Sequence, residues 1–216
     1  MFAHSKEWFE ERLGLRPVAE RVMEHPVPRY ITWLHCFGGL TFFTFIIQVV
    51  TGIIMAFFYV PTPDHAHESV VWFQHAIPFG TIVRNVHRLG ASAMVVLVFL
   101  HMLRVFVHAA YRKPRELNWV VGVGLLLMVL GFGFTGYLLP WDQKAYWATN
   151  VGLNIVSTVP FVGPFIANLL RGGPALGALT LLRFYGLHVF LLPILVVMGM
   201  LLHFAMIRKQ GVARPL

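Results

Sequence analysis

Four runs of twenty or more mostly apolar residues, at 33–58, 82–107, 120–139 and 180–207, decide most of what this chain can become. A hydrocarbon layer is crossed by about 20 helical residues, and within it every backbone N–H and C=O must be paired inside its own segment. Hydrophobic residues make up 57% of the 216 and charged residues only 12%, a balance that excludes a water-soluble domain. The expected fold class is all-α, a polytopic membrane four-helix bundle. A fifth apolar stretch, 151–170, carries Asn154, Ser157, Thr158, Pro160, Gly163, Pro164 and Asn168. Two prolines there interrupt a straight span, so 140–175 is expected to form short interfacial helices instead.

Charge orients the bundle. Lys6, Arg12, Arg16, Arg21 and Arg29 precede the first run, Arg104, Arg112, Lys113 and Arg115 surround the second connection, and Arg208, Lys209 and Arg214 follow the fourth run. These are 12 of the 17 basic residues. Four crossings put all three segments on one side, which the positive-inside rule makes the negative (cytoplasmic or stromal) face, with both termini. The opposite loops hold Asp64, Glu68 and Asp142 with His65, His67 and His75. The net charge of +8 is therefore sorted by membrane side and is no nucleic-acid signal. Residues 5–15 alternate charged and apolar positions without the long apolar core of a signal peptide, so 1–30 is expected to hold a surface helix on the negative side. No repeat or linker divides the chain, and 1–216 is read as a single membrane domain.

Two histidine pairs lie inside these runs: His87 and His101, fourteen residues apart, and His188 and His203, fifteen apart. Either stride is close to four helical turns, so the members of a pair face roughly one way, ~21–22 Å apart along the axis. Two such helices side by side present two opposed imidazole pairs, the geometry that two bis-histidine haems require. Two axial histidines leave no open site on an iron, so such a centre would pass electrons. The bundle is accordingly expected to enclose two b haems.

Neighbouring residues agree with that reading. Arg84, Arg104, Arg183 and Arg208 each lie three to five residues from one of the histidines, and Arg88 adjoins His87. Haem propionates would need cations of this kind near the water. Arg104 and Arg208 also suit plain snorkelling at helix ends; Arg84, Arg88 and Arg183, on the side poor in basic residues, suit it less. Gly38 and Gly52 are fourteen apart, as are Gly122 and Gly136. Glycine admits a flat macrocycle close to the backbone, with small-residue helix packing as the alternative. The single Cys36 forms no intrachain disulfide, and spacing alone makes it an inert buried thiol.

Several stretches carry a resemblance to a known family. They are Trp8-Phe9-Glu10-Glu11-Arg12-Leu13, Cys36-Phe37-Gly38-Gly39, Gln48-Val49-Val50-Thr51-Gly52 and Arg84-Asn85-Val86-His87-Arg88. Further along come Lys113-Pro114-Arg115-Glu116-Leu117, Thr135-Gly136-Tyr137-Leu138-Leu139-Pro140-Trp141-Asp142-Gln143 and Ile207-Arg208-Lys209-Gln210-Gly211. Over nearly its whole length the chain resembles cytochrome b6, the haem-binding amino-terminal half of cytochrome b in b6f-type and related bacterial quinol-oxidising complexes. The fifteen-residue stride from His188 to His203 is the b6 spacing.

The resemblance implies specific roles. His87 and His188 would ligate the haem near the positive side, and His101 and His203 the haem near the negative side. Gln48 would join the arginines and glycines around them. Cys36 would hold a covalent haem c by one thioether, against the reading from spacing. The segment after Pro140, to about 170, would form part of a positive-side quinol pocket and a docking surface for a Rieske iron–sulfur protein. No Pro-Glu-Trp-Tyr motif occurs, so that quinol-site signature is expected on a separate subunit carrying the carboxy-terminal half of cytochrome b. A c-type cytochrome subunit or a cupredoxin, quinone, membrane lipid and a dimeric complex complete the implied partners. Quinol would be oxidised at the positive face, one electron leaving through the Rieske protein and the other crossing the membrane, which contributes to a proton gradient. The segment Lys144-Ala145-Tyr146-Trp147-Ala148-Thr149 and the Leu138-Leu139 pair depart from the chloroplast pattern, favouring a bacterial cell membrane over a thylakoid. Two other classes remain on the residues alone. A histidine-relay proton transporter leaves the shared stride unexplained, and a stand-alone di-haem reductase leaves Cys36 and the Pro140 segment without a role.

Overall fold

The computed structural model describes residues 29–213. The expected surface helix over 1–30 lies, but for its last two residues, outside them. Every α-helix of the described residues lies within the unit that begins at Leu34. After a 3-10 turn at Trp33–His35 the described residues form α1 (Cys36–Ala56), α2 (Ala66–Ala76), α3 (Gly80–Val107), α4 (Glu116–Leu138), α5 (Gln143–Ser157), α6 (Gly163–Arg171), α7 (Ala178–Gly186) and α8 (Leu192–Gln210). A π-helical turn, Leu187–Leu191, joins α7 to α8. No strand occurs among the described residues. Four continuous helices, Trp33–Ala56, Gly80–Val107, Glu116–Leu138 and Ala178–Gln210, are long and apolar enough to cross a membrane.

The last three helices begin before the apolar runs that announce them, and the fourth also ends after its run, while the first stops at Ala56, two residues short. The third begins at Glu116 and the fourth ends at Gln210, because a helix continues through polar end residues that a search for apolar sequence omits. At one such end Arg115 closes the last turn of α8. Its Nη2 donates to the Gln210 carbonyl (3.1 Å) and its Nε to that of Gly211 (3.3 Å), while Gln210 Nε2 donates to the Pro114 carbonyl (3.0 Å). A guanidinium there satisfies carbonyls that the helix leaves open and opposes the negative end of its dipole.

Between the third and fourth spans the chain turns through α5 and α6. Asp142, extended after Pro140, caps α5 by accepting from the Ala145 amide at 2.8 Å. Pro164 sits in the first turn of α6, where a missing N–H costs nothing, and Gly172 ends it at φ 76°. Asn154 of α5 accepts from Arg171 Nη2 (2.9 Å), and Thr180 of α7 donates to the Arg171 carbonyl. Tyr59, in the loop before α2, donates to the Leu139 carbonyl at 2.7 Å. Burial, and secondarily Tyr185, push its phenol above the ordinary value. These bonds hold the short helices against the same end of the bundle.

Buried side chains fall in two groups. Ala66, Leu138, Leu153, Leu176, Leu181 and Phe184 join the short helices to the ends of α4 and α7. Phe45, Met94, Val98, Val129 and Val196 pack together inside the four spans. Met94 is seven residues from both His87 and His101, Phe45 seven from Gly38 and Gly52, and Val129 seven from Gly122 and Gly136. Each spanning helix thus lends a side chain to one apolar layer at mid-height.

Candidate haem-binding site

The structure brings the four histidines of α3 and of the α7–α8 span into two opposed pairs. Ring centroids of His87 and His188 are 6.3 Å apart, and those of His101 and His203 are 6.4 Å apart. Two imidazoles sharing one metal ion from opposite sides, each with a bond of about 2.0 Å and a ring centre about 1.1 Å behind its nitrogen, would have centroids about 6.2 Å apart. Distance alone does not single these pairs out, since His35 and His108 are also 6.3 Å apart. What does is the backbone opposite each ring.

Each of the four glycines faces one of the four histidines. A Cβ at Gly38 would stand 3.0 Å from His101 Cε1, at Gly52 3.3 Å from His87 Cε1, at Gly122 3.6 Å from His203 Cε1 and at Gly136 2.5 Å from His188 Cε1. Glycine here gives room to the imidazole itself, a closer and more specific use than the macrocycle clearance expected from the spacing. The fourteen-residue glycine strides on α1 and α4 therefore match the histidine strides because each pair contacts the other.

The fifteen-residue stride on the fourth span has its own cause. His188 lies inside the π turn, whose i→i+5 bonding takes up one residue more than an α turn. Pro193 stands two residues beyond Leu191; its ring cannot approach the carbonyl of residue 189 as an α-helix would require, and the wider turn relieves that clash. Fifteen residues thereby span what fourteen span on α3, and both ring pairs meet at equal separation.

The sequence alone assigns no role to Thr51 and Thr135, whose hydroxyls lie 2.8 Å from His87 Nδ1 and 3.1 Å from His188 Nδ1. The signal was present: a Thr-Gly pair occurs at 51–52 and again at 135–136, each threonine preceding a glycine that faces a ring. Phe132 also meets His188 edge-on at 5.4 Å.

The arginines divide. Arg84 Nη1 donates to Gln74 Oε1 and Arg183 Nη1 to the Leu169 carbonyl, whereas Arg88 is exposed and Arg208 lies in the last turn of α8. Arg104 keeps Nε and Nη2 buried with no hydrogen-bond partner among the described residues. Gln48 Nε2 is likewise buried and unpartnered, pressed against Gly90, where any Cβ would collide with it. Cys36, the first residue of α1, is an exposed thiol, which corrects the expectation from spacing that it is buried. It stands two residues before Gly38, whose backbone faces the His101 ring.

Comparison with known proteins decides the family. Residues 22–211 match the family model for cytochrome b/b6/petB. The chain belongs to the cytochrome b family. It is 48% identical over 218 residues to the menaquinol:cytochrome c reductase cytochrome b subunit of Geobacillus thermodenitrificans, covering 97% of both chains. It is 46% identical over 210 residues to cytochrome b6 of Euglena gracilis, covering 97% of this chain and 98% of that one. Among solved structures, a chain of a hyperthermophilic respiratory Complex III superposes with a TM-score of 0.89 at 29% identity over 97% of this chain. The match takes in 56% of that chain's length.

Proposed function

We propose that this chain is the electron-carrying cytochrome b subunit of a quinol-oxidising complex, in which His87 and His188 would hold one b haem and His101 and His203 a second. One observation carries the reading: two opposed imidazole pairs, each ring backed by a glycine, stand on either side of an apolar layer. The residues present fit the group. Ring separations suit a metal bound on both sides, and Arg104 offers buried N–H groups that a propionate would satisfy. Haem iron supplies a reversible one-electron couple, and two histidine ligands close it to substrate.

The chain's own part is to hold, orient and insulate. Glycines set ring depth, Phe45, Met94, Val129 and Val196 exclude water from the layer between the pairs, and Arg84, Arg88, Arg183 and Arg208 lie towards the ends of the spans. The exposed Cys36 thiol would form one thioether to a haem c beside His101 and His203. Relatives named as menaquinol:cytochrome c reductase subunits and as cytochrome b6 support quinol as the electron source. A separate subunit with the carboxy-terminal half of cytochrome b, a Rieske protein and a c-type cytochrome then complete a dimeric complex. It would stand in a bacterial cell membrane, its basic side inward, the whole chain acting as one membrane domain, and charge crossing it would add to a proton gradient.

The test is a reduced-minus-oxidised visible spectrum of the purified complex. Wild type should show two b components, and His188→Leu and His203→Leu should each lose a different one. A colourless complex, or variants that keep both components, would remove the reading.

A further inference from the structure

The two histidine layers differ in what holds the far side of each ring. Thr51 donates its only hydroxyl proton to backbone, 2.6 Å from the Ile47 carbonyl and 3.3 Å from that of Gln48. Towards His87 Nδ1, 2.8 Å away, the hydroxyl can only accept. Thr135 repeats the arrangement, donating to the Gly131 carbonyl at 2.8 Å and facing His188 Nδ1 at 3.1 Å. A proton on Nδ1 of either ring would therefore find an acceptor in the hydroxyl it faces. In the other layer, Gly38 and Gly122 are preceded by Phe37 and Val121, which carry no hydroxyl. His203 Nδ1 is buried beside the Asn118 carbonyl, and no hydroxyl contact to it occurs among the described residues.

We infer that Thr51 and Thr135 are positioning residues that fix the tautomer of His87 and His188 and lower the reduction potential of the one centre those histidines share. This rests on the reading of the pair as axial ligands of a single haem. An Nδ1–H that donates to an acceptor makes imidazole a more basic ligand, which favours the ferric over the ferrous state. Two such acceptors beside one histidine pair and, among the described residues, no hydroxyl contact of that kind beside the other make the two layers inequivalent. The carbonyls of Gln48 and Phe132 also lie beside these rings, so loss of a hydroxyl shifts the centre without releasing it.

The experiment is stepwise reduction of the purified complex at controlled potential, followed in the b-haem α band. Thr51→Val and Thr135→Val should each raise the midpoint of the same component and leave the other where it was. Thr51→Ser and Thr135→Ser, which keep the hydroxyl, should return it to the wild-type value. If the Thr51→Val complex fails to assemble, the smaller Thr51→Ala carries the same expectation. Valine variants with full haem and both midpoints unchanged would overturn the inference. So would a different component moving in each variant, or serine shifting the midpoint as far as valine. A wild-type complex without two b components would instead defeat the ligand assignment, and that is seen before any variant is made.

Discussion

Gly136 leaves no room for a side chain beside His188: a Cβ there would fall 2.5 Å from Cε1, 3.1 Å from Nδ1 and 3.2 Å from Nε2 of the ring. The same helix also meets this ring through Thr135, 3.1 Å from Nδ1, and through Phe132, edge-on at 5.4 Å. Gly136→Ala is expected to push the ring out of line and abolish binding at the His87–His188 layer. Gly122→Ala, whose Cβ would meet His203 at an ordinary 3.6 Å, should keep both centres. Haem per polypeptide, measured as the pyridine complex, should fall for Gly136→Ala and hold for Gly122→Ala; equal loss in both would contradict the packing described.

The apolar layer between the histidine pairs should be separable from ligation. Phe45→Ala removes the largest side chain of that layer and is expected to cost about 3–5 kcal/mol, seen as a lower thermal midpoint in detergent. The α band should keep its shape, because Phe45 is seven residues from either glycine that faces a ring. An altered band with unchanged stability would mean that the layer shapes the centres directly.

Cys36 gives a yes-or-no outcome. Denaturing electrophoresis with haem staining should label this subunit, and Cys36→Ala should remove the label while both b components persist. A stained band surviving in the alanine variant would end the thioether assignment. Exposure of the thiol at the start of α1 makes attachment sterically open.

Arg115 tests the coupling between the second connection and the last span. Its two bonds to the Gln210 and Gly211 carbonyls predict that Arg115→Ala destabilises by roughly 1–2 kcal/mol. Hydrogen exchange at the end of α8 should quicken in the variant, with the α band unchanged.

Much of this architecture is written in the sequence at the level of residue class. Long apolar runs mark crossings because a bilayer leaves the backbone no other way to satisfy itself. The matched strides of histidine and glycine are visible because a helix turns at a constant rate. What the strides do not tell is which residue a glycine spares, since that depends on how α1 and α4 are rotated against their neighbours. Thr51 and Thr135 were hidden for a related reason. A threonine in an apolar run usually bonds back to its own helix, as both do here, and only the packed bundle reveals the second contact. The bonds of Arg84 to Gln74 and of Arg183 to Leu169 likewise depend on the short helices, whose placement no periodicity announces.

The π turn makes a further prediction about length. Deleting Phe190 together with Pro193→Ala should let Leu187–Leu191 close as ordinary α-helix, and both b components should survive. Deleting Val96, in the unbroken α3, turns His101 by about 100° relative to His87 and should cost one of them. Loss of a component in the first deletion, or its retention in the second, would show that the turn does not set the register.

That wide turn uncouples two quantities usually taken as one, the count of amino acids between coordinating side chains and the alignment of those side chains in space. With that proline replaced, a codon lost at this point is expected to be absorbed locally, whereas one lost between His87 and His101 would dismantle a centre. Insertions and deletions in descendants of such a gene should therefore collect around Leu187–Leu191, and a tally of intervening residues is a poor ruler for judging whether two chains of this kind hold their cofactors alike.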